Sequence, residues 1–358
     1  MILSVAEQTK QIMVGDVPVG GGAPVSIQTM AKAPPDQVDR IVEQLKDAKK
    51  AGCDIARIAI PNLEAVKTIG EIKQRSGLPI VADIHFDYRL AVAAARNGAD
   101  GLRVNPGNLG GRDALKAVVT AAAEADIPIR VGVNAGSLPK TQGMPAIPTA
   151  DAMVNTALKM IADIESIGFD KLKVSLKAFD LFTTVEANRR FTIQADWPLH
   201  LGVTEAGPSL SGTVRSAAAL GILLAEGIGD TIRISLSSDP AEEVRVARYL
   251  LRTLNLRPGP VVVSCPTCGR TDSQVVGLAT KIESTLELLN LDLVVAVMGC
   301  EVNGPGEARE ADLGVAFGPQ GQGLLFESGQ IVGKYANEEL HDVLLARLKE
   351  IKEEIQHE

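Results

Sequence analysis

The chain has 358 residues, of which 46% are hydrophobic and only 3% aromatic, and its formal net charge is −8. This length predicts two domains, and a core of Ala, Val, Ile and Leu suits buried parallel strands covered by Ala-rich helices. The acidic balance argues against nucleic acid or anionic lipid as a partner, and no apolar run has the length of a signal peptide or membrane span, so a cytoplasmic protein with reduced thiols is expected.

The first part of the chain has the pattern of a plugged barrel. Residues 10–24 predict a short hairpin, with turns at Gly15-Asp16 and Gly20-Gly21-Gly22, that closes the bottom of the barrel. Eight β-branched runs then alternate with Ala-rich amphipathic segments: Val25–Met30, Ile55–Ile60, Ile80–Ile84, Gly101–Asn105, Ile129–Asn134, Leu172–Leu176, Leu199–Thr204 and Thr231–Leu236. Helices are expected after each run, for example Asp36–Ala51, Asp113–Ala125, Ala150–Ile167 and Glu242–Leu254. The count predicts a (β/α)8 TIM barrel over residues 1–258, whereas the alternative, an open doubly wound sheet, would carry a glycine fingerprint after its first strand.

Residues 259–358 predict a small α/β domain after the break at Pro258-Gly259-Pro260. The predicted elements are strands at Val261–Val263, Asp292–Val297, Ala311–Phe317 and Leu324–Phe326, and helices at Ser273–Leu289 and Asn337–Gln356.

Polar side chains of like parity gather at the carboxyl ends of the barrel strands, where the active sites of such barrels lie. They are Arg57, Asp83, His85, Arg103, Asn105, Arg130, Asn134, Lys173, Ser175, Lys177, Glu205, Arg233 and Ser235. Six of them are cations in an acidic chain. One or two could form structural ion pairs, but the set is better explained by a small diphosphate ligand. Glu205 and His85 are candidates for proton transfer, although His85 could equally be a core histidine.

Three of the four cysteines indicate a metal site in the second domain. Cys265 and Cys268 form a C-x-x-C pair, and Cys300 follows 32 residues after the second of them. Cys53 precedes an apolar run and is expected to be a small buried side chain, so the fourth ligand should be local, with Glu301 and Glu307 as candidates. The absence of histidine between His200 and His341 favours an iron–sulfur centre over structural zinc.

Several motifs in this order resemble the 4-hydroxy-3-methylbut-2-enyl diphosphate synthase family of the non-mevalonate isoprenoid pathway, from about residue 5 to residue 340. They are VADIHFDYR, LRVNPGN, IRVGVNAGS, HLGVTEAG, CPTCGR and MGCEVNGPGEA. The resemblance implies a [4Fe–4S] cluster held by Cys265, Cys268, Cys300 and Glu307. It also implies reductive opening and dehydration of 2-C-methyl-D-erythritol 2,4-cyclodiphosphate. The residues matching the substrate-binding motifs are Arg57, Asp83, His85, Arg103, Arg130, Asn134, Lys177, Glu205, Ser235 and Asn303.

Two loops depart from the family pattern, Ala31–Pro35 and Ala178-Phe179-Asp180, the second with Phe where Ser is expected. Two other functions compete with this interpretation: a zinc-stabilised binding module on an inactive barrel, and a non-redox aldolase or synthase with a structural metal domain. The electron donor, flavodoxin, ferredoxin or another carrier, does not follow from the sequence.

The link between the domains predicts a homodimer with a shared site. The last barrel helix should end near Leu254 at the bottom of a body about 30 Å tall, whereas the cations lie at its top. The link from Leu254 to Pro260 spans at most about 24 Å. A head-to-tail dimer would bring each cluster to the partner's barrel.

Overall fold

The computed structural model describes residues 8–105, 109–138, 149–268, 275–289, 291–300 and 304–357. The chain divides into two compact units, Met1–Arg257 and Pro258–Glu358. No helix among the described residues is both long enough and apolar enough to cross a membrane.

The first unit is an eight-stranded parallel barrel, which confirms the predicted fold. Its hydrogen-bonded order is β8-β7-β6-β5-β4-β3-β10-β9, and a parallel bridge from Val174 to Leu199 completes the ring. The strands are β3 Ser26–Met30, β4 Ile55–Ala59, β5 Ile80–Asp83, β6 Gly101–Val104, β7 Ile129–Asn134, β8 Leu172–Lys177, β9 His200–Leu201 and β10 Thr231–Ile232. The last two are shorter than predicted, because the chain leaves the ladder after Leu201 and Ile232.

Helices surround this barrel and bury Ala-rich faces against it. They are α1 Val38–Lys50, α2 Leu63–Lys67, α3 Ile69–Ser76, α4 Tyr88–Arg96, α5 Arg112–Glu124, α6 Ala150–Glu165, α7 Leu181–Thr192, α8 Ser209–Ala225 and α9 Pro240–Thr253. Side chains cap the start of several of them, since Asn62, Asp87 and Asp180 accept hydrogen bonds from the first-turn amides of α2, α4 and α7. These caps follow the carboxyl ends of β4, β5 and β8 and fix the loops around the barrel mouth.

A hairpin closes the opposite end of the barrel, as predicted. Its strands, β1 Ile12–Val14 and β2 Val17–Val19, pair across Gly15-Asp16. Apolar side chains of the hairpin pack on Ile55 and Val81, which belong to the amino-terminal halves of β4 and β5. The Thr9 hydroxyl donates to the Asp230 carboxylate, just before β10, at 2.9 Å. The hairpin therefore plugs the amino-terminal end.

The second unit is a five-stranded mixed sheet of order β11-β12-β13-β14-β15. Its elements are β11 Val261–Ser264, α10 Val275–Leu289, β12 Val294–Met298, α11 Gly304–Glu310, β13 Leu313–Ala316, β14 Gln322–Glu327, β15 Gln330–Ala336 and α12 Leu340–His357. The first three strands are parallel and the last two antiparallel. One apolar core lies between the sheet and helices α10 and α12.

Two of these elements were not predicted, the short helix α11 and the edge strand β15. Most side chains of β15 are exposed, so the strand lacks a clear apolar alternation. The sequence indicated β15 only through the Ser328-Gly329 pair. In the structure both residues have positive φ, +48° and +80°, as a tight hairpin turn requires.

Candidate active site

The barrel lumen has room for long cations because two of its positions are glycines. A Cβ at Gly202 would lie 2.5 Å from Nζ of Lys177 and 2.8 Å from the carbonyl oxygen of Arg233. A Cβ at Gly132 would lie 3.2 Å from Nε of Arg103 and 3.3 Å from the Ser175 hydroxyl. Gly202 thus leaves room for the Lys177 side chain, and a methyl group at Gly132 would require Arg103 or Ser175 to shift by a few tenths of an ångström.

Asp83, at the end of β5, gathers three of the predicted site residues. Its carboxylate lies 3.9 Å from Nε of Arg57, 3.4 Å from Nη1 of Arg103 and 3.4 Å from Nε2 of His85. Burial raises the pKa of Asp83, but Arg57, the hydrogen bond with His85 and Arg103 together hold it well below its usual range. The carboxylate is therefore ionised throughout the physiological range and keeps the two guanidinium groups charged.

His85 lies at the rim of this cluster, not in the core. Its side chain is about half exposed, and its ring nitrogens lie 3.2 and 3.1 Å from Nη1 of Arg103. One edge of the imidazole is thus held by buried charges while the other faces the opening. This arrangement suits a group that orients a ligand or exchanges a proton with it.

Arg130, Lys173 and Lys177 are buried in the same lumen, and their positive charges repel one another. Burial and, after it, the charge of Arg130 lower the pKa of Lys173 to about 7, with Asp230 opposing. Burial also lowers the pKa of Arg130 and of Lys177, and surrounding cations add to both shifts. Nζ of Lys173 lies 3.3 Å from the Thr231 hydroxyl, near the plugged end, whereas Lys177 ends the strand. Lys173 precedes Lys177 by four strand residues and therefore lies about 13 Å closer to the plugged end.

The remaining predicted barrel residues lie at or beyond the strand ends. Asn134 ends β7, Asn105 is buried just after β6, and Ser235 follows β10. Glu205 is exposed in the turn after β9 and has a left-handed backbone with φ of +52°. A glutamate in that conformation costs about 1 kcal/mol or more, so the turn holds Glu205 at this place against its preference.

Several lumenal side chains that contact the cations were not predicted from the sequence. Gln28 accepts a 3.5 Å hydrogen bond from Nη1 of Arg130, and the Met30 sulfur lies 2.9 Å from Nη2 of Arg57. Both share the inward parity of Ser26, and polar residues at alternating positions of β3 were the available signal. His200 was also missed as a lumenal residue, although it is fully buried in the barrel.

Glu243 of α9 was missed as well, because a glutamate on an amphipathic helix has the pattern of a solvated face. It is instead buried. Its carboxylate accepts hydrogen bonds from the Thr29 hydroxyl and the Leu236 amide, both at 2.9 Å. It also pairs with Lys32 at 2.9 Å and lies 3.9 Å from Nη2 of Arg233. Glu243 thus ties the loop after β3 to the loop that carries Ser235.

The predicted metal ligands of the second unit leave one edge of its sheet. Cys265 follows β11 and Cys300 follows β12, and these strands are parallel neighbours, so both chains exit at the same edge. The Cys265 amide donates to the Val297 carbonyl at 3.1 Å. Cys265, Cys268 and Cys300 form no disulfide, the second of them is exposed, and Glu307 is exposed on α11. Glu301 and Asn303 lie outside the described residues, and no group of three potential ligands is assembled within them.

Cys53 is the small buried side chain that was expected. Its sulfur lies 3.2 Å from the Ile55 carbonyl, and burial raises the pKa of its thiol to about 12. It is therefore a neutral thiol of the barrel wall.

Comparison with known proteins covers both units. The sequence profile of the GcpE TIM-barrel domain matches residues 9–248, and that of the GcpE C-terminal domain matches residues 261–350. A 4-hydroxy-3-methylbut-2-en-1-yl diphosphate synthase (flavodoxin) of Desulfotalea psychrophila is 49% identical over 353 residues, 97% of each chain. The enzyme of the same name from Geobacter sulfurreducens is 50% identical over 346 residues, 96% of this chain and 98% of its own.

Solved structures at low identity share part of the fold. Dihydropteroate synthase from Stenotrophomonas maltophilia has a TM-score of 0.52 at 17% identity and covers 68% of this chain and 98% of its own. Type I 3-dehydroquinate dehydratase from Clostridium difficile has a TM-score of 0.50 at 16% identity, over 69% and 97%. At these identities the similarity concerns the fold.

Proposed function

The chain belongs to the GcpE family, and from that premise we propose how its residues carry out the family's reaction. It is an iron–sulfur oxidoreductase that opens and dehydrates 2-C-methyl-D-erythritol 2,4-cyclodiphosphate. The product is 4-hydroxy-3-methylbut-2-enyl diphosphate, a precursor of isoprenoids. The reaction takes up two electrons, breaks the ring C–O bond at one phosphate and releases a hydroxyl group as water.

One observation supports the lumenal site above all, the crowding of cations that lack enough acidic partners. Arg57, Arg103, Arg130, Lys173, Lys177 and Arg233 are all largely buried in a chain whose net charge is −8. Burial and mutual repulsion lower the pKa of Arg130 and Lys177 well below their usual values. A bound diphosphate relieves this repulsion, and that relief contributes to the free energy of binding.

The chain's own residues have distinct tasks in this proposal. The buried cations Arg130, Lys173 and Lys177 hold the diphosphate and stabilise the charge that appears on the phosphate as the ring opens. Asp83 orients Arg57, Arg103 and His85, and Asn105, Asn134 and Ser235 hydrogen-bond the ligand at the strand ends. Glu205, an exposed carboxylate fixed by its turn, transfers a proton at the departing hydroxyl.

In the second unit, we assign Cys265, Cys268, Cys300 and Glu307 as ligands of a [4Fe–4S] cluster. The donor set fits, because Cys265 and Cys300 leave parallel strands at one sheet edge, and a carboxylate, which binds iron more weakly than a thiolate, would leave its iron exchangeable. A bound cluster supplies the two electrons one at a time. Asn303 is proposed to hold the ligand near this edge. Flavodoxin is the proposed donor, since the relatives carry it in their names, with ferredoxin as the alternative.

Metal content tests this assignment against the zinc alternative. Protein purified without oxygen should be brown, absorb broadly near 400 nm, contain about four irons per chain and turn over the cyclodiphosphate with reduced flavodoxin. Four cysteines that form no disulfide also suit a reducing, cytoplasmic setting. Stoichiometric zinc without iron would instead support a binding module with a structural metal.

Ligand binding is expected to take up protons above pH 7. The free Lys173 ammonium has a pKa of about 7, and a nearby dianion raises that pKa in the complex. Affinity is therefore full below about pH 7 and falls as pH rises, by up to about tenfold per unit for each proton, until the raised pKa is passed. Calorimetry at pH 8 in HEPES and in Tris, neither of which competes for a phosphate site, measures the uptake from the difference in binding enthalpy.

The control for that experiment is Lys173→Met, which fills a similar volume without the amine and should reduce the uptake. The ligand itself contributes none, because both phosphates of the cyclic diphosphate are diester-like and already ionised. If the wild-type chain has equal binding enthalpies in both buffers, binding takes up no proton. That result would contradict the presence of neutral Lys173 in the free protein.

We propose that two chains form a dimer in which each site is shared, and two features of the first unit support this proposal. Arg257, its last residue, donates to both oxygens of Asp54 at 2.5 and 3.2 Å, and Asp54 lies just before β4. The link to the second unit thus starts at the plugged end. In addition, exposed apolar side chains surround the open mouth, a set named here the apolar rim: Leu63, Phe86, Phe179, Phe182 and Leu210. We assign the cluster domain of a second chain as its cover.

A further inference from the structure

His200 is a lumenal residue for which the proposed function has not yet given a role. It begins β9 and is fully buried. It pairs in register with Thr231 of β10, whose hydroxyl meets Nζ of Lys173 inside the barrel. Paired residues of parallel strands point to the same face, so the imidazole also points into the lumen. Gly202, two residues on, occupies the same face beneath Nζ of Lys177.

Both ring nitrogens of His200 are without a hydrogen-bond partner among the residues that the structure describes. Leaving a buried polar group unpaired costs about 1–3 kcal/mol, so a fully buried imidazole normally satisfies at least one nitrogen. Burial lowers the pKa of His200 well below its usual value, and Lys177, Arg130, Lys173 and Arg57 lower it further. The ring is therefore neutral, with one N–H donor and one acceptor nitrogen.

The unpaired atoms around His200 indicate what the site binds. Gln28 Nε2 and the Nε atoms of Arg103, Arg130 and Arg233 are also buried without hydrogen-bond partners in the described chain, and all four are donors, whereas Asp83 Oδ1 is the one unpaired carboxylate oxygen among them. Among these nitrogens only His200 can also accept. A cluster rich in donors and poor in acceptors fits a ligand whose oxygens only accept, as those of an ionised phosphate do. A cationic side chain at position 200 would add to the repulsion, whereas a neutral one adds a directed donor.

We propose that His200 forms the floor of the diphosphate site, where its neutral ring donates a hydrogen bond to a phosphate oxygen and accepts one from the Lys177 ammonium. The inference rests on the proposed function, since it names a further contact of the same ligand. His200 orients the phosphate and Lys177 against each other and takes no part in bond breaking.

Two sets of variants test the contact. His200→Leu removes both nitrogens at similar size, and affinity for the cyclodiphosphate, measured by calorimetry, should fall about 10- to 100-fold. His200→Asn and His200→Gln place an amide N–H near Nδ1 and Nε2 respectively, so one of them should return affinity to within about threefold of wild type. His341→Gln is the matched control, because His341 is a partly exposed residue of α12 and should change nothing.

The wild-type protein supplies a readout that does not depend on any variant folding. The chain has only four histidines, so 15N labelling of histidine gives four ring systems to assign. The His200 ring should be neutral at pH 7, and its resonances should shift when the cyclodiphosphate is added. A ring unmoved by saturating ligand, or a folded His200→Leu protein with wild-type affinity, would show a core histidine and overturn the inference.

Arg130→Ala separates this inference from the function on which it rests. Loss of affinity in Arg130→Ala together with unchanged affinity in His200→Leu would refute only the role of His200. Unchanged affinity in both would refute the lumenal site itself.

Discussion

Replacing Cys300 by serine is expected to remove nearly all iron from anaerobically purified protein and to abolish its activity. Cys300 and Cys265 leave adjacent parallel strands at one edge of the second sheet, and if both hold the proposed cluster, losing either thiol leaves an iron without its ligand. Glu307→Ala should lower iron content as well, but less, because a carboxylate is the weaker ligand for iron–sulfur clusters. Iron per chain, absorbance near 400 nm and turnover measure the effect.

Cys53→Ser is the control for these substitutions. Its hydroxyl can keep the hydrogen bond that the Cys53 thiol makes to the Ile55 carbonyl, and a thiol with a pKa of about 12 is not a ready metal ligand. Iron content should therefore be unchanged. If Cys53→Ser lost iron while Glu307→Ala kept it, the ligand assignment would be wrong.

Two inactive variants are expected to regain activity when they are mixed. An Arg130→Ala chain keeps its cluster but lacks a deep lumenal cation, and a Cys300→Ser chain keeps its barrel but lacks the cluster. In a dimer with shared sites, each mixed dimer has one site in which both halves are intact. Random reassortment makes half of the dimers mixed, so about a quarter of wild-type activity should return.

A reciprocal mixture gives the control. A chain carrying both substitutions, mixed equally with wild type, spoils both sites of every mixed dimer and should leave about a quarter of the activity if sites are shared. Sites formed within one chain would leave about half in this mixture and restore none in the first. The two mixtures together decide the arrangement whatever the specific activity of the preparation.

The barrel could be predicted from the sequence because its signal is local and repeated. Each β-branched run lies between glycine or polar turns, and strands such as Ile129–Asn134 match their predicted limits. Strands β9 and β10 were predicted too long, since Val203 and Ile234 are buried by loop packing outside the ladder. Hydrophobicity reports burial, and burial does not require a strand.

The lumenal site could be predicted only where a strand's alternation and its charge agreed. Lys173 and Lys177 stand out on β8, but Glu243 reaches the same network from a helix, and no local pattern separates it from the neighbouring Glu242. His200 has the apolar neighbours of a core residue, and its inward direction follows from pairing with Thr231. Such pairings join distant parts of the chain, so only the structure shows them.

The hairpin seals the amino-terminal end, so that within the described residues the barrel is a well that opens at its carboxyl-terminal mouth. Ile12, Val14 and Val19 pack across that end, so a ligand cannot pass through it. Substrate, product and displaced water must share the mouth, so a new substrate cannot enter while product remains. The ring-opened diphosphate also carries a terminal phosphate, with one more ionisable oxygen for the lumenal cations to hold. Product should therefore act as a competitive inhibitor, and its departure should set the pace of turnover.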